Sequence, residues 1–151
     1  MLIDVAVDRH MQYFYYFANT SLVLRLLTYL SAHSSAHGSA HSSAHGAIAL
    51  DAVTVIYLVD RWVVRIKVKE VLPIQKDLDF ISFLNENGSP YSLNTRIKNV
   101  IDSLESGTTI TDVMHRYHVV VVSHGALRPA DIEDFKDTFV RGLGYCPPSL
   151  V

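Results

Sequence analysis

The sequence predicts an α+β domain: a small mixed or antiparallel sheet packed by helices and interrupted by one low-complexity insert. Three observations predict it. WVVRIKVKEV at residues 62–71 alternates apolar and polar side chains with period two, the mark of a strand. Residues 92–104 carry Leu93, Ile97, Val100, Ile101 and Leu104 at helical spacing. SAHSSAHGSAHSSAHG, residues 31–46, is one eight-residue unit written twice, and it brings almost no apolar surface to a core. The chain therefore divides into an N-terminal helical segment (1–30), a Ser/Ala/His/Gly linker (31–46) and an α+β domain with a C-terminal helix and tail (47–151). At 151 residues it is long enough to bury a core without metal or disulfide.

Taken in order, residues 2–7 alternate and suit a short strand. Residues 10–30 read as one helix: Phe14, Phe17, Leu22, Leu26 and Leu30 recur at helical spacing, with Tyr13, Tyr15, Tyr16 and Tyr29 making it apolar nearly all round. Residues 47–59 fit either a strand, because AVTVIYLV is β-branched, or one face of a helix. In 62–71, Trp62, Val64, Ile66 and Val68 point one way and Arg65, Lys67 and Lys69 the other, so a half-buried strand is expected, ending near Pro73. Residues 77–84 suit a short helix or turn, followed by an NENGSP loop. Ser92 is placed to cap the helix that follows, and Gly107 ends it. ITDVM, HRYH and HVVVVS then read as two short strands around a tight turn. Pro129 opens a last helix over 131–143, with Asp131, Glu133 and Asp134 in the turn where the helix dipole favours acids.

Composition excludes several functions. A formal net charge of −2 lacks the basic excess of a free-standing nucleic-acid binder. The single cysteine, Cys146, rules out an intrachain disulfide and a cysteine zinc site, and suits a reducing compartment. MLIDVAVDRH has no basic n-region and carries Asp4 and Asp8, unlike a secretory signal. Residues 10–32 are apolar, but Arg25 near their middle argues against a membrane span, at a cost of about 2.5–3.5 kcal/mol.

Three features bear on chemistry. His33, His37, His41 and His45 recur every fourth residue, and on a helix such neighbours could chelate zinc, nickel or copper. Serine and glycine between them disfavour that helix, and the unit holds no Asp, Glu or Cys to complete a shell, so a spacer is expected, with no metal and no cofactor. The stripe of Arg61, Arg65, Lys67 and Lys69 suits either a solvated strand face or contact with nucleic-acid phosphates, for which Arg65, Lys67 and Lys69 are the candidates. The run Val119, Val120, Val121 and Val122 cannot be buried on one sheet face, because side chains alternate. An uncovered apolar strand is an aggregation hazard that a permanent partner removes. No P-loop, GxGxxG or HExxH is present.

The order of features from Trp62 onward resembles the small accessory subunit of the eukaryotic tRNA-splicing endonuclease. DRWVVRIKV, EVLPI (70–74), SLNTRIKNVIDSLES (92–106) and TTITDVMHRYHVVVVSHGALRP (108–129) carry the resemblance, which spans roughly residues 47–129 and closes on Gly125, Ala126, Leu127, Arg128 and Pro129. The HRYH turn, the longer tail and residues 1–46 depart from that pattern. The resemblance implies a tRNA-endonuclease-like fold and a non-catalytic, nuclear subunit. Its last strand would pair with a catalytic subunit, as a strand-mediated heterodimer or homodimer in a complex that holds precursor tRNA, through Val119–Val122, Gly125, Leu127 and Pro129. VVVVSHGALRP also resembles the late histidine segment of the histidine phosphatases, which implies a phosphotransfer enzyme using His10 and His124. There Arg9 and His10 stand in VAVDRHMQ with Met11 in place of that family's glycine. A metal-binding or membrane-associated accessory protein is the third expectation.

Overall fold

The computed structural model describes residues 11–33, 48–58 and 60–126, with 133, 134 and 137. The expected strand at 2–7, most of the histidine repeat, Leu127, Pro129 and nearly all of the expected last helix lie outside the described residues. Among these residues, five strands and four helices follow in the order β1 (Gln12–Phe17), α1 (Thr20–His33), β2 (Leu50–Leu58), β3 (Arg61–Val68), α2 (Ile74–Asn87), β4 (Ser89–Pro90), α3 (Thr95–Glu105), α4 (Ile110–Tyr117) and β5 (Val120–Gly125). The strands form one antiparallel sheet in the order β4-β1-β3-β2-β5. The α+β class is as expected, and every pairing is antiparallel.

The single helix expected over 10–30 is a strand followed by a helix. QYFYYF has five aromatics in six residues, and aromatics favour the pleated surface. Tyr13, Tyr15 and Phe17 are buried in one core, while Phe14 and Tyr16 pack against another. A strand thus buries both sets, as a helix of that length would not. The Asn19 side chain accepts from the Leu22 amide at 3.0 Å, which closes the first turn of α1. Residues 47–59 resolve as strand: β2 pairs with β3 from Leu50↔Val68 to Leu58↔Arg61.

The two cores lie on opposite faces of the sheet. On the first, α1 (Val23, Leu26, Leu27, Leu30) and α2 (Phe80, Leu84) cover Val53, Val55, Trp62, Val64, Ile66 and Val68. On the second, α3 (Ile97, Val100, Ile101, Leu104) and α4 (Val113) cover Ile56, Val63 and Val121. The half-buried strand expected at 62–71 is therefore corrected. β3 is the middle strand, and Val63, Val64, Arg65 and Ile66 are all buried.

Two further expectations change. α3 is capped by Asn94, whose side chain accepts from the Ile97 amide, and not by Ser92. The hairpin expected at 110–123 is a helix and one strand. Thr109 accepts from the Asp112 amide to start α4, and His118 ends it in the left-handed region (φ 56°). HRYH is thus the last turn of a helix with its cap. Residues 77–84 extend to the fourteen-residue α2.

Candidate functional site

β5 closes the sheet on the side of β2, so among the described residues its outer backbone edge has no neighbouring strand. The valine run divides as alternation demands. Val119 and Val121 are buried in the second core, Val122 packs against the first, and Val120 is 46% exposed. A bulge interrupts the pairing: Ile56 faces Val121, but Val55 faces Ser123, leaving Val122 as the extra residue. The bulge shifts the side-chain phase by one, so that His124 opposite Thr54 shares the second face with Val121.

That shift brings His124 into a polar network beneath α3. Its Nδ1 lies 2.7 Å from the Thr54 hydroxyl. Its Nε2 lies 3.7 Å from Glu105, the last residue of α3. Glu105 accepts from Arg65 at 3.2 Å and from Lys67 at 2.9 Å, and Lys67 also lies 3.5 Å from Asp51. The Arg65 Nε donates to Gln12 at 2.9 Å. Five strand positions on three neighbouring strands, Gln12, Asp51, Thr54, Arg65 and Lys67, are thereby tied to one helix terminus and to the edge strand.

The charges in this network are set by contact and burial. Hydrogen bonding from Arg65, reinforced by Lys67 and opposed by partial burial, holds the Glu105 carboxyl at about 2, below its ordinary value of 4.5. Burial pushes the His124 imidazole down, with Glu105 acting against that and Arg65 and Lys67 adding to it. Both groups have a lowered folded pKa, so both contribute stability at neutral pH that acid removes. Thermal unfolding followed across pH should show stability falling in two windows. One begins below His124's ordinary value of 6.5, and the other runs from 4.5 towards 2 as Glu105 protonates. His124→Gln should remove the upper window and leave the lower one.

A hydroxyl, an imidazole and a carboxylate in sequence resemble a nucleophilic triad, but Thr54 has no solvent exposure and its oxygen cannot meet a substrate. The arrangement locks the edge strand to the sheet. Arg65, a candidate for phosphate contact, is 2% exposed and committed to Glu105 and Gln12; Lys67 is half-buried and paired, and Lys69 is exposed. His10, the other half of the phosphatase pair, lies outside the described residues. Of the histidine repeat only His33 is described, at the end of α1, with its ring stacked on Tyr29 at 4.1 Å. Among the described residues no three ligating side chains gather for a metal, and no helix is long and apolar enough to cross a membrane.

The network and the bulge escaped the sequence. Arg65 reads as half of a solvated stripe because alternation shows that a strand has two faces, not that both are covered. The T-x-x-D of Thr109 and Asp112 was the readable sign that a helix, and not a hairpin strand, precedes β5.

Neither the protein families nor the curated proteins include a match to this chain. Among solved structures, the crystal structure of the C-terminal domain of YpbH superposes with a TM-score of 0.39 at 12% identity, covering 83% of this chain and 94% of that one. A likeness that loose bears on neither activity nor partner.

Proposed function

We propose that this chain is a non-catalytic interaction subunit whose edge strand β5 adds to the sheet of a partner. We further propose that the partner is the catalytic subunit of a nuclear tRNA-splicing endonuclease, which would contact precursor tRNA as a complex. The observation that carries the first part is β5 itself. It is a six-residue edge strand with Val120 turned outward, and its backbone N–H and C=O groups are held in register by the lock behind it. Strand addition draws its affinity from such groups and its specificity from alternate side chains. The second part rests on the ordered sequence segments from Trp62 to Pro129. The segment compared with that family's closing hairpin is α4 and a single strand here, so the reading leans on the strand edge and not on a hairpin.

Val120 is the side-chain contact this edge offers, whereas Val119 and Val121 support it from the second core and Val122 packs against the first. Val120→Asp is therefore the clean test. It should abolish co-purification of a catalytic endonuclease subunit from the native source while the melting temperature stays within about 2 °C of the parent, the range of an exposed substitution. Recovery of the parent chain as a monomer, free of any nuclease subunit, would overturn the reading.

A further inference from the structure

α1 and α2 pack antiparallel. The Arg25 guanidinium donates to the Asn87 side chain at 3.0 Å, and one turn further along α1 the Tyr29 ring stacks on Phe83 at 3.9 Å. Beside these contacts an open cleft of about 480 Å³ is lined by Ser21, Leu24, Arg25, Thr28, Tyr29 and Phe83. Small-molecule sites have such volumes, about 300–1,000 Å³, and such linings, with apolar and aromatic walls and a few polar groups. Arg25 is the only Lys, Arg, Asp or Glu in α1. It is exposed, and among the described residues no acid pairs with it. Its one neutral contact holds it at the cleft. Asn87 is 8% exposed and its amide nitrogen donates to the Phe83 carbonyl at 2.8 Å, so the oxygen that Arg25 meets is fixed. A guanidinium carries five N–H donors, and Asn87 takes one of them.

The polar groups gather at one end. Ser21 lies one turn before Arg25 on the same helix face, so the two donors are neighbours. The Thr28 hydroxyl is spent on the Leu24 carbonyl at 2.9 Å. Leu24, Tyr29 and Phe83 make the remaining wall apolar. Burial, with the Asp79 charge adding to it, pushes the Tyr29 hydroxyl above its ordinary value, which places an acid near that far end. A carboxylate is favoured at Arg25 and disfavoured at Tyr29, and this sets the direction of a ligand.

We infer that the cleft binds a small monocarboxylate with an apolar body, its carboxylate on Arg25 and Ser21 and its body against Leu24, Tyr29 and Phe83. A carboxylate fits the guanidinium fork with two parallel hydrogen bonds, which a neutral head group cannot reproduce. The site lies on the face of the sheet that α1 and α2 cover, and it owes nothing to the β5 edge.

The test is a titration of the full chain with hydrocinnamate, read by backbone amide NMR, with hydrocinnamyl alcohol as the uncharged counterpart. The carboxylate should give saturable shifts confined to α1 and α2, with a Kd on the order of 1 mM, as suits a small ligand in an open cleft. The alcohol should bind at least about tenfold more weakly, the loss of a charge-assisted pair. Arg25→Gln should weaken the carboxylate by a similar factor and leave the alcohol unchanged, with the melting temperature within about 2 °C of the parent. The comparison of acid with alcohol on the parent chain decides the matter even if the variant fails to fold. Equal binding of acid and alcohol, no saturable shift by about 10 mM acid, or an unaltered acid affinity in Arg25→Gln would each overturn the proposal.

Discussion

Glu105→Ala is expected to cost about 3 kcal/mol and to lower the melting temperature by about 6–12 °C. The loss does not come from a surface ion pair. Arg65 is 2% exposed, and without Glu105 its guanidinium keeps, among the described residues, only the amide oxygen of Gln12. Removing one partner of a buried pair typically costs about 3–5 kcal/mol, because the other charge stays desolvated; Glu105 is itself a third exposed, which places the figure at the lower end. Lys67 also loses its nearer partner and keeps Asp51. Replacing both members, as Arg65→Met with Glu105→Gln, should be milder than Glu105→Ala alone, since no charge is then stranded. Denaturant unfolding of the two variants checks this, and a Glu105→Ala cost below about 1 kcal/mol would show that solvent already screens the pair.

Gly88→Ala should cost about 2–3 kcal/mol, for a purely steric reason. A Cβ there would lie 2.6 Å from the Tyr16 carbonyl oxygen and 2.6 and 2.7 Å from two atoms of the Phe17 ring. The backbone at Gly88 is extended, with φ of −153°, so any residue could adopt it. Phe17 is almost wholly buried and the Tyr16 carbonyl belongs to β1, so neither can yield cheaply. The strain should push out β4, the two-residue strand that pairs with Tyr15 and Tyr16. The denaturant midpoint should fall with little change in slope.

How much of this was legible follows from what each segment shows locally. The apolar stripe of α3 predicts its own buried face, because helical spacing and burial coincide there. The alternation of 62–71 predicts a strand but not its place in the middle of the sheet, since cover on the Arg65 face comes from α3 and α4, some thirty residues later in the chain. β1 was hidden inside a longer apolar run. Its period of two runs directly into the helical period of α1, and Asn19 is the only punctuation between them. The valine run was the most informative stretch: alternation alone requires an outward-facing valine, and Val120 is that residue. His124 joins the lock only through the bulge at Val122, a register shift that no local pattern announces.

The central claim is that β5 is a pairing edge, and hydrogen–deuterium exchange over residues 120–125 tests it most directly. In the chain alone, amides of β5 that point away from β2 should exchange quickly. In the complex recovered from the native source they should be protected by at least about a hundredfold, as expected when open edge amides gain strand partners. Unchanged exchange across β5 in an otherwise intact complex would contradict the account and place the interface elsewhere on the molecule.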